Sequence, residues 1–94
     1  MKKRNLNICL IKIAEECGEV IQVACKAHRY GLDNKKNGKH GTNRELLIEE
    51  LGDIYAYLKI LVEDTDSCIT YEEINQRCSK KYEQIKLNDI VPEV

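Results

Sequence analysis

A chain of 94 residues is one domain's worth of polypeptide, since single domains usually hold about 50 to 250 residues and a split would leave neither half a core. With 43% hydrophobic and 33% charged residues, one Pro and five Gly, it is too apolar for a disordered chain and too polar for a membrane protein, which points to a globular domain. The 15 Lys and Arg nearly balance 16 Asp and Glu, so a net charge of −1 provides no field to hold duplex nucleic acid.

At the N-terminus, Met1–Arg4 and the apolar run that follows have the look of a signal peptide, but Lys12 interrupts the run. Glu15, Glu16 and Glu19 follow with no small-residue cleavage site. No stretch approaches the ~18 apolar residues of a membrane span. The cysteines at 9, 17, 25, 68 and 78 form no C-x-x-C pair, and their odd count argues against a disulfide framework. Reduced thiols and a cytoplasmic location are the expectation.

From Leu6 to Tyr30, the residues Leu6, Leu10, Ile13, Cys17, Val20, Ala24 and Ala27 recur at steps of four and three, the period of a helix face. Asn5 can cap its start and Gly31 its end. Residues 31–41, GLDNKKNGKHG, are polar and Gly-rich and read as a loop. Thr42 with Glu45 forms a capping box that opens a second helix through Leu46, Leu47, Leu51, Ile54, Leu58, Leu61 and Val62. Thr70 with Glu73 repeats the box, Ile69 with Ile74 adds a hydrophobic staple, and Cys78, Tyr82 and Ile85 continue a third, shorter helix. Residues 88–94, carrying Pro92, form a tail outside the core of residues 5–87.

The fold class is therefore all-α: two long antiparallel helices and a shorter third. A first helix of about 37 Å, at about 1.5 Å per residue, is long for a chain whose compact radius of gyration would be about 12 Å. One short helix cannot cover such a hairpin, so a second copy is expected to complete a helical bundle, most simply as a homodimer.

Each long helix carries the pattern E-E-x-G-acid followed by a β-branched residue: Glu15-Glu16-Cys17-Gly18-Glu19-Val20 and Glu49-Glu50-Leu51-Gly52-Asp53-Ile54. A single copy would mean little, and surface carboxylates are ordinarily solvated. Two copies, each with a mid-helix Gly costing about 1 kcal/mol relative to Ala, are harder to ascribe to composition. At about 100° per residue, Glu50 falls within the stripe of Leu46, Leu47, Ile54, Tyr57 and Leu61, and Asp53 lies on its edge, while Glu49 shares the polar face. Glu16 and Glu19 share a sector with Lys12, Ile8 and Val23, opposite the main apolar stripe of the first helix.

In an antiparallel hairpin the two motifs meet at similar height. Facing carboxylate pairs disfavour full ionisation unless a cation is bound. Carboxylates without His or Cys suit Mg²⁺ or Mn²⁺ rather than Zn²⁺. Mg²⁺ usually completes its shell with waters and substrate phosphates, which points to metal-assisted phosphoryl chemistry with an activated water.

These residues resemble the all-α nucleoside triphosphate pyrophosphohydrolases of the MazG-like group, whose mark is ExxE on one helix and ExxD on the next. Here these are Glu16-Cys17-Gly18-Glu19 and Glu50-Leu51-Gly52-Asp53. The likeness extends over LIKIAEECGEVIQVACKAHRYGLDN and TNRELLIEELGDIYAYL, about residues 6–65, and is greatest to small single-domain members, often phage-encoded. The third helix matches only in its basic character, and the stretch between Glu19 and Glu50 is slightly longer than in many members. The resemblance implies hydrolysis between the α and β phosphates of a nucleotide to nucleoside monophosphate and pyrophosphate, in a homodimer or dimer of dimers. For a phage-encoded member the location would be the host cytoplasm. By motif position, Glu16, Glu19, Glu50 and Asp53 become Mg²⁺ ligands, and one of Glu15, Glu16 and Glu19 serves as base.

Among other residues, Tyr57 is placed either to stack on a base or to sit in the core with its hydroxyl satisfied. Lys12 either meets a phosphate or pairs with Glu16. His28 and Arg29 either bind nucleotide or complement the helix macrodipole. Lys35, Lys36, Lys39 and His40 make a basic loop, read first as solvated. Lys80, Lys81 and Lys86 either supply phosphate charge or form a polar face. A calcium loop after Asp64 and Asp66 fails on Ile69 and Asn75, and a ferritin-like site fails for want of Glu-x-x-His. Two other functions compete with the general hydrolase: a non-catalytic dimerisation or nucleotide-sensing module, and a narrower dUTP- or dCTP-type pyrophosphatase.

Overall fold

The computed structural model describes residues 3–35 and 41–89, which form three α-helices. Helix α1 is Leu6–Tyr30, α2 is Asn43–Glu63 and α3 is Tyr71–Asn88. Among the described residues, no helix is long and apolar enough to cross a membrane. Lys36, Lys39, His40 and most of the C-terminal tail lie outside the described residues.

Local chemistry sets the helix ends. The Asn5 side chain accepts from the Ile8 N–H at 3.0 Å, satisfying a donor that the first turn leaves unpaired. At the other end of α1, Gly31 adopts φ 93° and its N–H donates to the Ala27 carbonyl at 2.8 Å. Thr42 and Glu45 close a reciprocal capping box at the start of α2: the Glu45 N–H donates to Thr42 Oγ1 at 3.2 Å, and the Thr42 N–H to Glu45 Oε1 at 3.0 Å. Gly41 takes φ 80°, a left-handed conformation that favours Gly, and a Cβ there would also stand 2.5 Å from the Glu45 carboxylate that closes the box. Thr70 and Glu73 repeat the box on α3.

Helices α1 and α2 pack as an antiparallel hairpin pinned at both ends. At the open end the Arg4 N–H donates to the Asp64 carbonyl at 2.7 Å. At the loop end the Arg44 N–H donates to the Leu32 carbonyl at 2.7 Å, the Asn43 amide to the Gly31 carbonyl at 2.9 Å, and the Arg44 guanidinium forks onto Asp33. Between α2 and α3 the chain forms a hydrogen-bonded elbow. The Thr65 and Ser67 hydroxyls both donate to the Leu61 carbonyl, the Ile69 N–H donates to the Ser67 hydroxyl, and the Tyr71 hydroxyl donates to the Glu63 carboxylate.

That elbow holds α3 away from the hairpin, against which it makes no extensive packing. The radius of gyration is 16.6 Å, well above the about 12 Å of a compact chain this size. The apolar core is correspondingly thin: among the described residues, Cys9, Val23 and Leu61 are the buried hydrophobic side chains. Leu10, Ile11, Ile21, Ile48, Leu51, Tyr55 and Tyr82 remain exposed.

One expectation about α1 is corrected. The face turned to α2 is centred on Cys9, Glu16 and Val23, not on Leu10 and Cys17, which are exposed. Apolar residues lie on both faces of α1, so periodicity could not tell which one α2 covers. Glu16 therefore faces the partner helix rather than lying opposite it.

Candidate metal centre and adjoining groove

Glu50 lies on the inner face of α2, one turn before Ile54 and between Leu46 and Leu47 on one side and Leu61 on the other. It is 9% exposed, and its Oε2 has no hydrogen-bond partner. A carboxylate oxygen buried in this way carries a desolvation cost that no hydrogen bond among the described residues offsets. From the same helix, Asp53 approaches one turn further on, and the half-buried Glu16 comes across from α1. One carboxylate oxygen from each of Glu16, Glu50 and Asp53 lies within 4.8 Å of the others.

The electrostatics reflect this crowding. Burial, then the charges of Glu19, Asp53, Glu16 and Glu49, hold the Glu50 carboxyl above the usual glutamate range. Glu16 is raised by burial and by Asp53, Glu19 and Glu15, and Lys12 opposes the shift. Three convergent hard oxygens, one of them buried and unpaired, fit a divalent cation such as Mg²⁺, which prefers oxygen ligands.

The other expected site residues are distributed as follows. Glu19 is exposed and outside the three-oxygen cluster, though close enough for its charge to act on Glu50. Lys12 pairs with Glu15 at 3.3 Å rather than with Glu16. Tyr57 is half-buried, one turn beyond Asp53. Arg29 stacks over Tyr30 at 5.8 Å, about 20 Å along α1 from Glu16. His28 is exposed in the same last turn of α1. Lys81 is exposed on α3 and is not among the residues that line the groove or form the three-oxygen cluster.

Sequence reading missed the groove beside this centre. Lys3, Arg4, Asn5, Ile8, Cys9 and Lys12 line it from the α1 side, with Tyr57, Ile60 and Asp64 from α2, around about 700 Å³. That is within the size range of small-molecule pockets. Its walls continue the two faces that carry the acids, since Lys12 lies one turn before Glu16 and Tyr57 one turn after Asp53. The Cys9 thiol donates to the Tyr57 carbonyl at 3.8 Å across the floor. The legible signal was the ladder Asp53, Tyr57, Ile60 and Asp64 at helical steps, which only the packing of α1 turns into a groove.

Comparison with protein-family models, with curated proteins and with solved structures finds no match to this chain. The chain is a small all-α domain with an acidic cluster, Glu16, Glu50 and Asp53, that could chelate a divalent metal.

Proposed function

We propose that the protein is a Mg²⁺-dependent nucleotide pyrophosphohydrolase, cleaving a nucleoside triphosphate between its α and β phosphates to the monophosphate and pyrophosphate. The observation that carries this reading is the buried, unpaired Glu50 carboxylate converging with Glu16 and Asp53. The paired ExxE and ExxD motifs and their resemblance to MazG-like hydrolases support it. Mn²⁺ would satisfy the same donor set.

In this reading Glu16, Glu50 and Asp53 hold the cation, with Glu19 as a fourth carboxylate nearby. When bound, the ion supplies charge that offsets the phosphate oxygens and acidity that makes water a nucleophile near neutral pH. Glu19 is the first-helix acid left to take the water's proton, since Glu15 is tied to Lys12. The groove takes the nucleoside, with Tyr57 as stacking surface and Lys12 at the phosphate end. A second copy completes the fold as a homodimer or dimer of dimers, covering the apolar residues that the hairpin and α3 leave exposed.

The test is a panel of nucleoside triphosphates with Mg²⁺, with products followed by phosphorus NMR. Wild type releases monophosphate and pyrophosphate, and Glu50→Gln loses about two orders of magnitude in rate or more. Release of orthophosphate, or full activity of Glu50→Gln, refutes the reading.

A further inference from the structure

The two long helices carry more apolar surface than their mutual contact uses. Beside the seam that packs α1 on α2, Leu10, Cys17 and Ile21 on α1 and Ile48, Leu51 and Tyr55 on α2 recur at steps of three, four or seven, and all six are exposed. Each set lies about 100° further round its helix than the residues in contact, in the same rotational sense. In an antiparallel pair that rotation brings both sets to one side of the hairpin. Ile8, Asp53 and Ile60 are displaced the opposite way, so the carboxylates and the groove open on the other side.

Helix α3 leaves from the edge of this apolar face. The Tyr71 hydroxyl in its first turn donates to the Glu63 carboxylate and lies within electrostatic reach of Tyr55. Ile74, one turn on, is half-buried. Cys78, Tyr82 and Ile85 fall within about 40° of the line that Tyr71 and Ile74 begin, so the apolar stripe of α3 continues on the side that its first turn presents to the hairpin. The molecule is an L with apolar residues along both arms of its inner corner, and none of the side chains named along them is charged.

The size of this surface suits association. Leu10, Ile21, Ile48 and Leu51 on the hairpin and Ile85 on α3 are 44 to 65% exposed, and Tyr55 and Tyr82 are 63% and 59% exposed. At roughly 100 Å² for each Leu or Ile and roughly 150 Å² for each Tyr, they offer on the order of 800 Å², which is what each partner gives up in a stable interface. A second copy meets both arms at once, because a two-fold axis that lays one α3 along the other hairpin does the same in reverse.

We infer that the inner corner of the L is a self-association clasp: the hairpin face of Leu10, Cys17, Ile21, Ile48, Leu51 and Tyr55 receives α3 of a second copy through Cys78, Tyr82 and Ile85, and the exchange is mutual. This deepens the homodimer reading above and rests on that second copy, not on hydrolysis.

The experiment uses the full chain without metal or nucleotide. Sedimentation equilibrium compares wild type with the double variant Tyr82→Glu, Ile85→Glu, and circular dichroism checks that the variant keeps its helices. Wild type is expected to dimerise, and the variant to dissociate about 100-fold more readily or worse. In parallel, alkylation of wild-type thiols is followed by peptide mass spectrometry as protein concentration is raised. Cys17 on the hairpin face and Cys78 on α3, both exposed in the single chain, should slow together by about tenfold or more as the dimer forms. A monomeric wild type overturns the clasp, as does a folded variant that dimerises like wild type. A dimer in which Cys78 reacts as fast as in the monomer also overturns it, since the copies then meet through their hairpins alone. Should the variant lose its helices, the wild-type thiol rates decide by themselves. None of these outcomes reads phosphate release, so the clasp and the hydrolase reading stand or fall separately.

Discussion

Glu50 concentrates the chemistry of this protein in one side chain. Its folded-state proton affinity is raised above the usual 4.5, as is that of Glu16. The folded chain therefore holds these protons more tightly than the unfolded chain does. Stability from the two groups is full below that usual value and is lost as pH rises through their elevated folded values. Without divalent ions, Glu50→Gln should melt at a higher temperature than wild type at neutral pH, and the difference should shrink at pH 4. Adding Mg²⁺ should raise the wild-type midpoint and leave the variant's nearly unchanged, because only an intact cluster gains from binding. Calorimetric scans at two pH values, with and without Mg²⁺, check both statements. Asp33 and Glu45 behave in the opposite sense: the Arg44 guanidinium and the Thr42 hydrogen bonds hold their carboxyls low. Their stability is present above the ordinary carboxylate values and lost as pH falls through the lowered ones. Angular arithmetic placed Glu50 on the inner face from sequence alone. The identity of its neighbours across the hairpin, Glu16 but not Glu19 in the ligand cluster, depended on how α1 is rotated.

At the scale of elements, helix punctuation was the most readable part of the chain. Asn5, Thr42 with Glu45, and Thr70 with Glu73 occupy the cap positions that their side-chain chemistry suggests, because capping depends on groups only three residues apart. Thr42→Ala should cost about 1 kcal/mol, measured by urea unfolding. The motif glycines are a different case. Neither Gly18 nor Gly52 has an atom within 4 Å of where a Cβ would stand, apart from the backbone of its own helix. Gly52→Ala should therefore stabilise the folded chain by up to about 1 kcal/mol in the same assay. A loss instead would mean that another molecule occupies that space. The elbow after α2 was not readable: its hydroxyls bond to Leu61, and Cys68 takes φ 62°, a conformation uncommon outside Gly. Nothing in the local residue pattern specifies the angle that results.

At the scale of the whole molecule, the dimensions of 47 × 40 × 16 Å describe a thin, L-shaped chain. Ile21 and Ile48 are 62% and 65% exposed, and α3 has no buried residue. Surfaces of this kind are ordinarily covered by association. Sedimentation equilibrium at micromolar concentration should give a mass at least twice that of the chain. A double substitution, Ile48→Glu with Leu51→Glu, should shift it to the monomer mass and lower the unfolding midpoint. A wild-type chain that stays monomeric and folds cooperatively would remove the dimer from the proposal.

What the sequence determined by itself is what short-range chemistry encodes: three helices, their caps, the absence of strands among the described residues, and a repeated acidic motif on the two long helices. These depend on residue type and on separations of three or four positions. The rotation of α1 against α2, the groove between Lys12 and Tyr57 at one end and Arg4 and Asp64 at the other, and the outward course of α3 were decided only in three dimensions. Each follows from contacts between residues far apart in the chain, where several pairings bury similar apolar surface and the sequence pattern does not rank them.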